Sequence, residues 1–293
     1  MTASATLALQ LVANGLVVGG LLGLVALGLA LIFGVMRVVN FAHGEFITLG
    51  AYITWLIAGG LGLSPFIGIP AAFLTGAVLG WIIQALLISR VMERPPLDAL
   101  MVTYSLSILG LGLFSFFFGG DFRSYSEGPS GDLHLGAITV GVRSLSVLLV
   151  CLFLAAAAIL LLRSARLGLA FRALAQNRDA AASSGINIRF IERLAFGLAV
   201  GLAAVAGSLI SLVGTTTPTV GNDWVLEGFV VVVVGGMGSI PGALVAALLI
   251  GLVQSVFGYV FDDSWAKIIT YLILYMTLLI RPQGLLGRAT EMG

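Results

Sequence analysis

A long uncharged stretch near the start of the chain most limits what it can fold into. No charged residue occurs over 7–33, and a helix needs about 20 consecutive apolar residues to cross a membrane. The sequence is 59% hydrophobic and only 9% charged, with a mean hydropathy of +1.13, whereas soluble domains carry roughly 25% charged residues. We therefore predict an all-α, polytopic membrane protein, because long uncharged runs favour helices over the alternating strands of a barrel.

The composition also excludes several function classes. A net charge of +1 without a basic patch gives no reason to expect nucleic acid as a partner. Cys151 is the only cysteine, which excludes an intrachain disulfide and a cysteine metal site. His43 and His134 stand far apart without a metal-spaced partner, so no metal is expected. The first basic residue is Arg37, so the first apolar stretch lacks a signal peptide's positive region and should remain as a span.

A polar cluster follows the first apolar run. Asn40, Phe41, His43 and Glu45 come directly after Arg37. Ionisable groups in hydrocarbon cost at least ~2.5–3.5 kcal/mol each on insertion scales, so such a cluster needs partners, water or a substrate. We interpret it as a functional site at a broken helix, and the alternative is a short aqueous turn. We expect a structural His43, satisfied by Glu45 or by backbone carbonyls, and the alternative is a proton relay between the two.

The apolar segments predict about eight transmembrane helices, including broken or re-entrant ones. The first is either one tilted helix or two joined pieces, and the short segment 46–58 either crosses the membrane or re-enters it. The polar segment 121–143 predicts an external loop that can hold a short hairpin. The predicted apolar segments are 7–35, 46–58, 65–88, 97–118, 144–162, 194–213, 224–260 and 265–280.

A glycine-rich interruption at 235–242 divides the segment 224–260. Arginines near span ends mark the inside, so Arg281 lies inside and the span before it places Asp262 outside. The arginine-rich segment 163–193 also lies inside, and the span after it places Asn222 outside. The segment between Asn222 and Asp262 must cross an even number of times, as a re-entrant pair of half-helices or as two short tilted spans. Irregular backbone at membrane depth survives only where it faces protein or water, so the break is expected to face a central cavity.

Arginines concentrate in the segment 163–193, which therefore marks the cytoplasmic side. Its alanine-rich middle predicts one or two amphipathic helices at the membrane surface, one of them ended by Gly185 as a C-cap. The mixed-charge face suits docking of a cytoplasmic partner, and the alternative is anchoring in lipid headgroups. The arginines are Arg163, Arg166, Arg172, Arg178, Arg189 and Arg193.

Three stretches resemble the permease subunits of branched-chain amino-acid ABC importers, within the second large family of binding-protein-dependent inner-membrane permeases. LIFGVMRVVNFAHGEFITLGAY at 31–52 resembles the signature segment of these subunits. VVVVVGGMGSIPGALVAALLIGLVQS at 230–255 is similar to their glycine-rich broken helix, and RPQGLLG at 281–287 to their C-terminal ending. The resemblance extends over nearly the whole chain.

A fourth pattern bears on coupling to an ATPase. Asp179-Ala180-Ala181 followed by Gly185 is similar to the EAA…G pattern with which importer permeases dock their ATPases, although Asp replaces Glu and the usual downstream Leu-Pro is missing. The resemblance implies two groups of functional residues. The predicted coupling residues are Arg172, Asp179, Ala180, Ala181, Gly185 and Arg189. The predicted residues of the translocation path or gate are Asn40, Phe41, His43, Glu45, Gly235, Gly236, Gly238 and Ser239.

The resemblance further implies a single transmembrane permease domain over 1–293, with a cytoplasmic coupling loop at about 163–193, in the cytoplasmic (inner) membrane of a bacterium or archaeon. An external solute-binding protein would deliver branched-chain or other small amino acids. A second related permease chain, or a copy of this one, would complete the path. Two partner ABC ATPase subunits would bind and hydrolyse ATP.

This chain would bind no cofactor and would not be an enzyme, since it has no Walker A pattern. The alternative function is a self-sufficient channel or secondary carrier for a small polar solute such as urea or an amide. An intramembrane enzyme has the least support, because His43 and Glu45 are the only dense candidates for catalytic groups.

Overall fold

The computed structural model describes residues 3–92, 94–135, 138–164 and 166–287, and helices account for most of them. Glu93 and Arg288, which belong to the polar ends predicted for two spans, lie outside the described residues. The elements in chain order are α1 Ala3–Met36, α2 His43–Trp55, a π-helical turn Leu56–Gly60, a 3-10 turn Pro65–Ile67, α3 Gly68–Ile83, a second π-helical turn Gln84–Ile88, α4 Ser89–Val91, α5 Pro96–Phe118, β1 Asp132–Leu135, β2 Ile138–Gly141, α6 Val142–Ser164, α7 Arg166–Gln176, α8 Arg178–Ser183, α9 Ile188–Val213, α10 Val220–Gly235, α11 Ile240–Val260 and α12 Asp263–Ile280.

The described residues contain 7 helices that are long and apolar enough to cross a membrane. Two further rods are not among these seven. α2 with its π-helical turn is less apolar because it carries His43 and Glu45, and α10 has only 16 residues. The prediction of an all-α, polytopic membrane protein is therefore confirmed. The first apolar run forms one unbroken helix of 34 residues, so the alternative of two joined pieces is wrong.

α2 crosses the bundle instead of re-entering it. Its backbone at Gly50 packs against Ala204 of α9, and Thr54 Oγ1 donates a hydrogen bond to Ser208 Oγ at 2.6 Å. Because both residue numbers rise together, the two helices run in the same direction. The segment 46–58 therefore lies within one continuous rod alongside a full span.

α10 and α11 are two separate helices of opposite direction. α11 runs antiparallel to α1, since Gly15 packs against Leu252 while Gly23 packs against Leu244. The connection 236–239 lies at the end of the bundle where α1 ends, with Gly238 against Gly34. Of the two alternatives for 224–260, the structure shows two short spans, and the break lies at one end and not at membrane depth.

The segment 281–287 closes over the end of α10. The backbone N–H of Leu285 donates to the carbonyl of Val234 at 2.8 Å, and that of Leu286 donates to the carbonyl of Gly235 at 3.1 Å. Carbonyls in the last turn of a helix have no partner within the helix, and these bonds satisfy two of them. Gly236 is thus buried beneath this segment, whereas Met237 and Gly238 of the same turn are exposed. We call this end of the bundle, where α1 and α12 end and α9 begins, the arginine-rich end.

The opposite, outer end carries the predicted hairpin. β1 and β2 pair antiparallel with Asp132 opposite Gly141. Gln10, near the start of α1, donates its Nε2 to the Thr139 carbonyl at 2.9 Å and accepts the Thr139 backbone N–H at 3.1 Å. The hairpin therefore lies beside the beginning of α1, as expected for an external loop.

α1 and α9 form the buried centre of the bundle, whereas α5, α6 and α12 lie at its periphery. Close helix contacts explain why this centre is rich in small residues. An added Cβ at Gly207 of α9 would collide with the carbonyl oxygen of Ile47 in α2. Small residues let membrane helices approach to backbone contact and gain packing energy.

Candidate functional site

The polar segment after α1 forms a tight return into the bundle. Arg37 adopts a left-handed backbone conformation with φ 55°, which is uncommon for a residue other than glycine, and it ends α1. Asn40 is buried, and its Oδ1 accepts the backbone N–H of Ala42 at 3.1 Å. This turn directs the chain into α2, so Asn40 fixes where α2 begins.

His43, the first residue of α2, is fully buried between α1 and α9. A side chain at Gly28 would collide with its ring and with the carbonyl oxygen of Ala199. Gly28 lies eight residues before the end of α1, so the imidazole sits roughly 12 Å into the bundle at 1.5 Å per residue. Within the described residues, neither ring nitrogen has a hydrogen-bond partner.

Glu45 faces a different helix. Its Oε1 accepts a hydrogen bond from Ser107 Oγ of α5 at 3.0 Å, and its side chain packs against Gly110. The predicted pairing of His43 with Glu45 is therefore wrong. The alternative of a backbone partner is met in part, since the imidazole lies against the Val25 backbone of α1 without full hydrogen-bond geometry. Residues two apart on a helix point in nearly opposite directions, which separates the imidazole from the carboxylate.

Phe41 and Asn40 border a cleft that joins the two sequence motifs. Phe41 is partly exposed and packs edge-on against Tyr104, with ring centroids 6.2 Å apart, and against Phe229 of α10 at 5.6 Å. A small cleft of about 30 Å³ lies next to this aromatic contact, between Asn40 and Phe229. Its wall is apolar except for Asn40, whose Nδ2 has no hydrogen-bond partner among the described residues. The lining residues are Leu29, Phe33, Val38, Val39, Asn40, Phe229, Val232, Val233 and Met237.

The glycine-rich break forms the turn beside Met237 at the arginine-rich end. Gly236 and Gly238 have φ values of 105° and 82°, a region that residues with a Cβ rarely adopt. Ser239 Oγ accepts the backbone N–H of Gly242 at 3.2 Å and caps α11. Gly235 packs directly against Gly242. These residues shape the tight turn at the end of the cleft.

The arginine segment folds into the two surface helices that the sequence predicted. α7 buries Phe171 and Leu174 in the core and leaves Arg172 exposed, with its guanidinium donating to the Leu162 carbonyl. α8 is capped by Asn177, whose Oδ1 accepts the backbone N–H of Ala180 at 2.9 Å. α7 and α8 therefore attach to the membrane bundle through side chains on one face.

The predicted coupling residues form one exposed surface with a single buried anchor. Ala181 is buried, whereas Asp179, Ala180, Gly185 and Arg189 are exposed. Gly185 ends this stretch with φ 80°, as the C-cap prediction requires. Arg172 lies on α7, Asp179 to Ala181 on α8 and Arg189 on α9, and these three helices contact one another. No contact assigns these residues a role.

A second intramembrane polar group was missed by the sequence reasoning. Glu227 of α10 and Thr270 of α12 flank Gln254 of α11, whose Nε2 donates to Glu227 at 2.9 Å and to Thr270 Oγ1 at 3.1 Å. Nearby, Lys267 Nζ lies 3.9 Å from Asp223 Oδ1. The signal that could have found this group is the acidic pair Asp223 and Glu227, four residues apart at the start of an otherwise apolar segment. We call Asp223, Glu227, Gln254, Lys267 and Thr270 the α10–α12 polar cluster.

The helical bundle and its intramembrane polar groups define a multi-pass membrane protein of the transporter class. Residues 11–278 match the family described as branched-chain amino acid transport system / permease component. The chain belongs to this family, and it is accordingly a multi-pass component of the cytoplasmic (inner) membrane and not a catalytic subunit.

Individual relatives are similar over nearly their whole length. The high-affinity branched-chain amino acid transport system permease protein LivH of Escherichia coli K12 is 29% identical, with 96% of each chain covered. The probable LivH permease of Methanocaldococcus jannaschii is 27% identical, over 94% of this chain and 91% of the relative. Among solved structures, PsaBC from Streptococcus pneumoniae, in complex with a Fab, matches with a TM-score of 0.50 and 16% identity over 92% of this chain and 91% of that one. At this identity the likeness concerns the fold alone.

Proposed function

We propose that this chain is the permease subunit of an ABC importer for branched-chain aliphatic amino acids. The observation that carries the proposal is the end-to-end match, over 96% of both chains, to a permease named for high-affinity branched-chain amino acid transport. The motifs at 31–52, 230–255 and 281–287, which suggested this family, all lie within or directly beside the matched residues 11–278.

The proposed translocation path runs over the exposed face of α10 and is completed by a second permease chain or a copy of this one. Three features support this placement. First, the cleft beside Asn40 is lined in part by α10. Second, α10 carries the polar residues Asp223 and Glu227. Third, Leu226 on α10 is 50% exposed. A single chain leaves these groups on its outside, and polar groups at membrane depth belong in a protein interior or a water-filled cavity.

The proposed gate uses the residues that hold the inner ends of α1, α2 and α10 together. Asn40 and His43 set the start of α2, Phe41 contacts α10, and Glu45 connects α2 to α5. Gly235, Gly236, Gly238 and Ser239 allow the sharp turn between α10 and α11 at the inner end of the cleft. Movement of α2 relative to α10 would open or close the cleft.

Coupling to ATP hydrolysis is assigned to the surface of α7 and α8, with Arg172, Asp179, Ala180, Ala181, Gly185 and Arg189. Partner ATPase subunits, two in the complete importer, would dock on this surface. They would bind the ATP, and this chain would bind no cofactor. The buried side chains of α7 pack this surface against α1, α6 and α9. A displacement of α8 would therefore be transmitted to the helices that contain the gate. A solute-binding protein would dock at the outer end beside the hairpin.

The test is purification of the chain from its own membranes in mild detergent, followed by mass spectrometry of what accompanies it. We expect two ATPase subunits and a permease partner or second copy. Recovery of the chain alone or as a homo-oligomer without ATPases, across several detergents, would contradict the proposal.

A further inference from the structure

The α10–α12 polar cluster lies at membrane depth. Gly228, the residue after Glu227, packs against Val25 and Leu29 of α1, the stretch of α1 that also contacts the buried His43. Val25 and Leu29 stand 11 and 7 residues before the end of α1, which is roughly 10–17 Å at 1.5 Å per residue. Glu227 therefore lies within the bundle at about the depth of His43.

The cluster is nevertheless open on one side. The side chains of Asp223 and Lys267 are 66% and 49% exposed in the single chain, and Glu227 is half-buried. Asp223 and Lys267 lie nearer the outer starts of α10 and α12. A carboxylate at the depth of Glu227 does not face lipid tails, because such groups line water-filled cavities or meet other polar groups. This side of α10 and α12 therefore faces an aqueous path or a polar partner.

The cluster presents both signs of charge within a short distance. Lys267 approaches Asp223, and both lie close enough to Glu227 to interact with it electrostatically. Gln254 holds one oxygen of the Glu227 carboxylate in a fixed position, while Thr270 in turn holds Gln254. The Glu227 carboxylate is thus oriented by side chains of α11 and α12, and α12 also carries the Lys267 ammonium.

We propose that the α10–α12 polar cluster is a binding site for the zwitterionic head group of an α-amino acid on its way through the membrane. Glu227 binds the substrate ammonium. Lys267 leaves its ion pair with Asp223 and binds the substrate carboxylate instead. An exposed ion pair contributes little to stability, so Lys267 can change partners readily. The proposal rests on the proposed function and names the groups that would make the path selective for amino acids over uncharged solutes.

A purely structural role for the network makes a different prediction. Hydrogen bonds between Gln254, Thr270 and a neutral partner at position 227 would hold the three helices together without any charge. Glu227→Gln keeps an amide oxygen that can accept the bond from Gln254 and removes only the charge. If the network is only structural, this variant transports normally.

The experiment is uptake of radiolabelled leucine into proteoliposomes that contain the complete importer with its binding protein and internal ATP. We expect Glu227→Gln and Lys267→Gln each to lower uptake about tenfold or more at low substrate concentration, the effect of losing one charge-assisted hydrogen bond. Glu227→Asp, which keeps the charge, should retain more uptake than Glu227→Gln. The complex should assemble in all three variants, as judged by size-exclusion chromatography.

The matched control is Thr277→Val, which removes a hydroxyl on α12 that bonds only its own helix at the Ile273 carbonyl. It should transport leucine like the wild type. If wild-type importer transports leucine and Glu227→Gln does so equally well, the zwitterion site is wrong while the proposed function stands. If wild-type importer transports no branched-chain amino acid, the proposed function itself fails. If Glu227→Asp and Glu227→Gln lose uptake equally and both fail to assemble, the cluster is structural and the inference is overturned.

Discussion

The backbone N–H of Gly221 donates a hydrogen bond to Thr48 Oγ1 at 3.1 Å, which joins the first turn of α10 to the middle of α2. The two helices touch there through their backbones, since an added Cβ at Gly221 would collide with the carbonyl oxygen of Gly44. This contact links the polar segment after α1 with the helix that carries the second polar group.

Gly221→Ala should therefore destabilise the protein. Inserting a methyl group into a tightly packed interface typically costs about 1–3 kcal/mol, and here the obstacle is backbone that cannot rotate away. The measurement is the unfolding midpoint in mixed micelles of mild detergent and SDS. Gly112→Ala is the matched control, because nothing lies within 4 Å of its added Cβ. Equal midpoints for the two variants would contradict the close contact between α2 and α10.

Asn40→Ala should lower stability by about 1 kcal/mol, the usual net contribution of one intramolecular hydrogen bond. The Asn40 Oδ1 accepts the Ala42 N–H just before α2. Asn40→Ser can supply a hydroxyl oxygen for the same bond and should recover part of the loss. Thermal unfolding of the purified chain measures both effects, and an unchanged midpoint for Asn40→Ala would show that the turn does not depend on this bond.

Ser107 and Glu45 should be energetically coupled. Ser107→Ala removes the donor that approaches Glu45 Oε1 at 3.0 Å, and a hydrogen bond to a charged group contributes about 1.5–3 kcal/mol. In a double-mutant cycle with Glu45→Ala, which removes the accepting oxygens, we expect a coupling free energy of at least about 0.5 kcal/mol. Ser115→Ala, at an exposed position on the same helix, serves as the control. A coupling free energy near zero would show that Glu45 makes no stabilising contact with Ser107 of α5.

Arg189→Glu should weaken coupling to the ATPase. Arg189 is exposed beside α8, and reversing its charge alters the proposed docking surface without disturbing the core. Binding-protein-stimulated ATP hydrolysis by the reconstituted complex should fall about fivefold or more, which is the lower end of typical coupling between sites. Arg90→Glu, an exposed reversal on the helix that follows α3, should leave stimulation unchanged. Normal stimulation in Arg189→Glu would place the coupling surface elsewhere.

Much of the architecture followed from the sequence because lipid restricts a chain to few solutions. Long apolar runs in a membrane form helices, and the arginines of 163–193 predicted the direction of the spans after residue 64 through alternation. The direction of the first span stayed open, because it depended on whether 46–58 crosses the membrane. The external hairpin and the surface helices α7 and α8 followed from composition and turn residues. The depth of the glycine break could not be predicted, because its position depends on hydrogen bonds from Leu285 and Leu286, more than 40 residues away in sequence.

The side-chain partners of the candidate site were harder to predict. Nearness in sequence suggested that His43 would pair with Glu45, but helix geometry turns them towards α1 and α5 respectively. The polar cluster around Glu227 was missed because its members come from three helices, and the acidic pair Asp223 and Glu227 in the sequence does not reveal its partners on α11 and α12. Only the packing of α10, α11 and α12 shows that Gln254 bridges Glu227 and Thr270.

The most direct test of the central claim is uptake of radiolabelled leucine, isoleucine and valine into two sets of proteoliposomes. One set contains the complete assembly of this chain with its co-purified partners, and the other contains this chain alone. Our account predicts accumulation only in the complete assembly, and only with the binding protein outside and ATP inside. Gradient-driven uptake by the chain alone, without ATP, would contradict the account and identify a self-sufficient carrier or channel.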